Sequence, residues 1–257
     1  MKHKIGSYAM VAAALGSLPQ AHAAAVVVDW FRLESAGSPA ALTLVNDAGL
    51  PVAAGALVIA SGKGISFPGL PANNVLNGGF WFADTGLADS GAGDARVGAF
   101  DIRVAPQNGS ASYVLELTVP TGRELILAVG GLFHGAAGST QSLELTAFSD
   151  SGSGAISLLQ TIGWDNGSTA YDQEIEWDAS SGTLSTTVGS SGDSEMAFLR
   201  IGPLAGENGR LVLTVANGYG VGTGDSLTIG LGQVIPEPSF LGLLSLSGVF
   251  LLVARRR

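Results

Sequence analysis

Cysteine is absent from the 257 residues, and the only histidines are His3, His22 and His134. Without thiols there is no disulfide, no cysteine nucleophile and no Cys-ligated zinc or iron–sulfur site. A single histidine outside the first 23 residues excludes a multi-histidine metal centre, and a Ser-His-Asp triad would have to be built on His134 alone. No Gly-x-Ser-x-Gly elbow lies near it, so His134 reads as a turn or partly buried residue. Charge is scarce as well, at 13% of residues. Between Ala24 and Ile235 seven basic residues face twenty acidic ones, a net charge of −13. A body this acidic is repelled by phosphate backbones, which argues against nucleic-acid binding and leaves cations or neutral glycans as better partners. Long amphipathic helical stretches are also missing, and long apolar runs occur only at the two ends.

What is present is a β-forming composition. Hydrophobic residues make up 46%, enough for a sizeable core, and 38 glycines fall among Ser, Thr, Asn and Asp in short turn-like clusters. The spacing predicts strands over 26–33, 41–45, 52–60, 80–83, 97–104, 112–119, 124–129, 142–148, 155–162, 171–177, 184–188, 196–201, 210–215 and 226–233. Alternation is clear in Tyr113 to Val119, where Tyr113, Leu115, Leu117 and Val119 oppose Val114, Glu116 and Thr118. Leu143 to Ala147 and Leu211 to Val215 repeat the pattern. The expectation is an all-β antiparallel sandwich or jelly roll, as a single body over 24–233 or as two smaller sandwiches.

The ends read differently. Lys2 and Lys4 precede an apolar run from Ile5 to Leu18, followed by Ala21-His22-Ala23. These are the three parts of a secretory signal peptide, a helix over 1–23 cleaved between Ala23 and Ala24. At the other end, residues 234–257 run through Pro236-Glu237-Pro238, an uncharged transmembrane helix over 239–254, and Arg255, Arg256 and Arg257. At 1.5 Å per residue the helix reaches only about 24 Å, short of the roughly 30 Å hydrocarbon core, so it is a marginal anchor. The arginines stop transfer on the cytoplasmic side, which places the acidic body on the far side of the membrane. The two prolines hold Glu237 in an extended segment that a protease cleft can accept.

Pro236, Glu237 and Pro238, the helix containing Gly242 and Gly248, and the terminal arginines together resemble the PEP-CTERM sorting signal. The resemblance covers about 234–257, and the chain does not depart from the motif. It implies recognition by an exosortase at a transient inner-membrane anchor, cleavage near the motif, and delivery to the cell surface, outer envelope or extracellular matrix. It also implies an association with exopolysaccharide. In this reading Pro236, Glu237 and Pro238 belong to a substrate, the chain has no catalytic residues, and it needs no cofactor.

Two other readings attach to the body. Glu174, Glu176 and Asp178 share one face of a strand, opposite Ile175 and Trp177. This is similar to the acidic strand of concanavalin-like glucanases, and implies a secreted glycoside hydrolase or lyase, although Glu-x-Glu-x-Asp departs from that family's Glu-x-Asp-x-Glu order. The bland reading is a solvent-facing acidic strand. The glycine-rich loop holding Asp84, Asp89 and Asp94 has the oxygen supply that calcium needs, as in a calcium-dependent adhesin; a second, weaker loop ends at Asp225. Ordinary turns explain both equally. Among the aromatics, Trp30, Phe31, Phe80, Trp81, Phe82, Trp164, Tyr171, Trp177 and Tyr219 are expected to fill the space between sheets, with one side of Phe80 to Phe82 open to a glycan. Asn108-Gly109-Ser110 and Asn166-Gly167-Ser168 read as turns.

Overall fold

The structure is a computed structural model and describes residues 26–36, 41–61, 64–66, 75–76, 87–89, 97–98, 100–105, 111–130, 132, 142–162, 175–186, 196–218 and 225–236. Among these there is no helix. The first strands are β1 (Val26–Trp30), β2 (Arg32–Ala36), β3 (Ala41–Val45), β4 (Pro51–Ser61), β5 (Gly64–Ser66), β6 (Val75–Leu76) and β7 (Leu87–Asp89). Then come β8 (Val97–Gly98), β9 (Phe100–Ala105), β10 (Ala111–Val119), β11 (Leu125–Gly130), β12 (Ser142–Ser149) and β13 (Gly152–Ser153). The last six are β14 (Ile156–Ile162), β15 (Ile175–Asp178), β16 (Thr183–Thr186), β17 (Met196–Ile201), β18 (Gly209–Gly218) and β19 (Asp225–Val234).

Two large sheets carry the fold. The first runs β14-β17-β11-β19-β1-β7, with β9 also on β19 and β5 on β9; the second runs β15-β16-β12-β18-β10-β4-β3-β2, with β13 on β12. Strands β6 and β8 form a separate pair. Ladders are antiparallel except for β1 with β7. The all-β antiparallel expectation therefore holds for the described residues. The chain changes sheets at Phe31, between β1 and β2, where the Phe31 N–H donates to the Leu231 carbonyl at 2.8 Å. The expected strand over 26–33 is thus two strands in two sheets, a corner that alternation alone does not mark.

The period-2 pattern sets the core. Tyr113, Leu115, Leu117 and Val119 are buried while Glu116 and Thr118 are exposed, and Leu143, Leu145, Leu211, Leu213 and Val215 are buried as expected. These join Phe31, Leu127, Leu199, Ile229 and Leu231 in one cluster that draws on both sheets and on residues from Phe31 to Leu231.

The first sheet differs, because its other face is closed as well. Ile126 and Ala128 alternate with Leu125, Leu127 and Val129, so they point the opposite way. With Val28, Trp30, Leu87, Met196 and Phe198 they form a second buried cluster. All six residues of β11 are buried. The expectation that aromatics fill the space between sheets fits Phe31 but not Trp30, which belongs to this second cluster. Phe80, Trp81, Phe82, Trp164, Tyr171 and Tyr219 lie outside the described residues.

Strand β19 runs through the middle of the first sheet. One edge pairs with β11 over Thr228–Gln233; the other is shared, with β9 at Asp225–Ile229 and β1 at Gly232–Val234. Gly232 permits the β1 contact, because a Cβ there would come within 2.5 Å of Val28 Cγ1 and 2.9 Å of the Asp29 carbonyl oxygen. Beyond the ladder the Val234 N–H donates to the Glu124 carbonyl and the Ile235 N–H to the Val27 carbonyl, both at 2.9 Å. The first and last strands therefore end side by side, and Pro236, the next residue, is exposed.

Candidate functional site

The acidic strand is β15. Glu176 and Asp178 are exposed on one face, Ile175 is buried and Trp177 half-buried on the other. Glu174 lies outside the described residues. Asp178 is engaged in the turn that follows: its carboxylate accepts from the Ser180 hydroxyl at 2.7 Å, the Ser180 N–H at 2.8 Å and the Ser181 hydroxyl at 2.8 Å. The Ser180 hydroxyl first, then that of Ser181, hold its pKa down at about 2. A carboxyl ionised that far down the pH scale is a poor general acid, which must keep its proton at the working pH.

The low pKa carries a pH signature. A carboxylate whose folded pKa lies below its unfolded value of 3.8 stabilises the fold above that value, and this contribution disappears as pH falls toward about 2. Asp178→Asn is expected to flatten the melting temperature of the protein between roughly pH 4 and pH 2 relative to wild type, while lowering it at neutral pH. Thermal melts across that range check both arms.

The turn also shapes a cleft. Gly182, with φ of +68°, closes it by donating its N–H to the Asp178 carbonyl at 2.8 Å, while its own carbonyl accepts from the Leu145 N–H at 2.8 Å. A side chain there would strike the Leu145 carbonyl oxygen at 2.8 Å. Trp177 of β15 and the turn from Ala179 to Gly182 form one wall at the edge of the second sheet, and β14, an edge strand of the first, supplies Ile156. The floor is β12 from Leu145 to Phe148, with Ser153 and Gly154 beside it. The cleft measures about 450 Å³ and is open to solvent, within the roughly 300–1,000 Å³ typical of ligand pockets. Its base is apolar, from Leu145, Ala147, Ile156 and the Trp177 indole; its polar groups are the hydroxyls of Thr146, Ser153, Ser180 and Ser181. No lining residue is charged. Trp177 was singled out from the sequence; the rest of the cleft was not. The only readable signal for it is Asp178-Ala179-Ser180-Ser181-Gly182, a turn pattern by composition.

The other expected sites fall elsewhere. Ala23, Ala24, Glu237, Pro238, Arg255, Arg256 and Arg257 lie outside the described residues, as do the segments 1–23 and 239–254 and the residues His134, Asp84 and Asp94; of the sorting motif only Pro236 is described. Asp89 closes β7, and Asp225 opens β19. Among the described residues no group of three His, Asp or Glu side chains could hold a metal ion, and no helix is long and apolar enough to cross a membrane. Comparison with known proteins gives no match, whether to a family model, a curated protein or a solved structure.

Proposed function

We propose that this chain is an exported cell-envelope or matrix protein, delivered by its N-terminal signal and held briefly in the inner membrane by 239–254 until an exosortase cuts near Pro236-Glu237-Pro238. Its body is a non-catalytic β-sandwich or jelly roll that binds glycan or matrix material. The carrying observation is the order of residues at the C-terminus, Pro-Glu-Pro followed by an uncharged apolar run over 239–254 and three arginines, matched at the other end by two lysines, an apolar run and Ala21-His22-Ala23. The fold supports it in one respect. The Ile235 N–H bonds to the Val27 carbonyl, so the described residues nearest the leader and nearest the tail lie side by side. Pro236, the first residue of the motif, follows directly and is exposed.

The test is mass spectrometry of both ends of the mature protein from its native host. The expected product begins at Ala24 and has lost Arg255 to Arg257 with the apolar helix, and replacing Pro236, Glu237 and Pro238 by alanine leaves the tail attached. A mature protein with its arginines intact in an exosortase-bearing host would overturn the proposal.

A further inference from the structure

We propose that the cleft between β14 and the β15–β16 turn is a binding site for a neutral saccharide, seated on the Trp177 indole and hydrogen-bonded to an interrupted edge of β12. The observation is a break in the second sheet. Along one edge of β12, β16 covers Ser142 to Glu144 and Gly182 reaches Leu145; β13 covers Phe148 and Ser149, and Gly154 reaches Ala147. Among the described residues, Thr146 is the one position of β12 with no pairing residue on that side. The bonds flanking the break run one way only. Leu145 donates to Gly182, whose N–H turns back to Asp178, so that no backbone N–H among the described residues meets the Leu145 carbonyl; Gly154 donates to the Ala147 carbonyl, and no return bond reaches the Ala147 N–H among the described residues.

In an antiparallel strand the N–H and C=O of one residue point to the same edge. Leu145 and Ala147 therefore present an open acceptor and an open donor side by side on the cleft floor. Buried main-chain groups are nearly always paired with protein, water or ligand, so the pair calls for an occupant. One hydroxyl group can satisfy both, donating to the Leu145 carbonyl and accepting from the Ala147 N–H.

The rest of the cleft narrows the class. An uncharged lining in a body of net charge −13 gives an anion no partner and a cation no carboxylate ligand. Four hydroxyl side chains, of which Ser180 and Ser181 already donate to Asp178 and are left as acceptors, around an apolar base with an indole suit a ligand having both hydroxyls and an apolar face, which is the chemistry of a sugar ring. This inference deepens the binding part of the reading above and rests on it for the ligand's outward location.

The test uses the full-length chain in a non-glycosidic detergent, with cellotetraose and maltotetraose as probes and tryptophan fluorescence and saturation-transfer NMR as readouts. At least one probe is expected to bind in the millimolar range, and Trp177→Ala to weaken it by about tenfold or more. Because Trp177 also packs against the core, Ala179→Phe is the second variant: it fills the mouth from an exposed turn position and is expected to abolish binding at an unchanged melting temperature. Absence of binding at millimolar probe, undiminished binding in both variants, or a crystal structure showing only an ordered water on Leu145 and Ala147 would overturn the site. These measurements do not depend on tail cleavage, so their failure leaves the sorting proposal standing, and an unprocessed tail in the host leaves a measured affinity standing.

Discussion

A chain ended before Asp225 is expected to have no folded body, whereas one ended after Pro236 keeps the melting temperature and circular dichroism of the complete body. The difference is β19. Leu227, Ile229 and Leu231 are fully buried, and deleting each such side chain alone costs roughly 2–5 kcal/mol. Three together reach the roughly 5–15 kcal/mol by which a domain exceeds its unfolded state. The backbone loss compounds this, because β11, β9 and β1 all pair with β19 and would be left with open edges in the middle of a sheet. Resistance to proteolysis and a cooperative melt in the longer chain, with neither in the shorter, is the expected outcome; a cooperative melt in the shorter chain would show that the first sheet closes without its central strand.

Ile126→Ala is expected to cost as much as Leu127→Ala, roughly 2–5 kcal/mol each. At this chain length that lowers the melting temperature by roughly 4–20 °C. A sheet with one wet face predicts otherwise, because Ile126 and Leu127 point to opposite sides. Both residues are fully buried, Leu127 among the side chains shared by the two sheets and Ile126 beside Trp30, Met196 and Phe198. Chemical denaturation of the two variants checks the claim. A change within about 0.5 kcal/mol for Ile126→Ala, the usual range for surface positions, would mean that the second cluster contributes nothing to stability.

Several strands were legible to within a residue, although the one expected over 210–215 runs on to Gly218. Ala41–Val45 and Met196–Ile201 match the expected ranges, and Ser112 to Val119 extends by one residue. Short strands were not. Gly64–Ser66, Val75–Leu76, Leu87–Asp89 and Gly152–Ser153 are too brief for a period to show; all but Val75–Leu76, which pairs with the equally short Val97–Gly98, lie against a longer strand that offers an edge. The acidic face of β15 was visible in the sequence for Glu176 and Asp178. The capture of Asp178 by Ser180 and Ser181 was not weighed, although the three residues lie within one turn.

By itself the sequence determined the β class, the apolar face of each alternating strand, the acidic exterior and the character of the two ends, because composition, period and local charge are properties of neighbouring residues. Tertiary structure alone decided that the last strand lies at the centre of a sheet beside the first, and that β11 is closed on both faces. It alone brought Leu145, Ile156 and Trp177 around one cleft. Pairing partners lie tens to hundreds of residues apart, and hydrogen bonding along a strand edge is blind to side-chain pattern, so only the closed fold selects which edges meet and where one is left open.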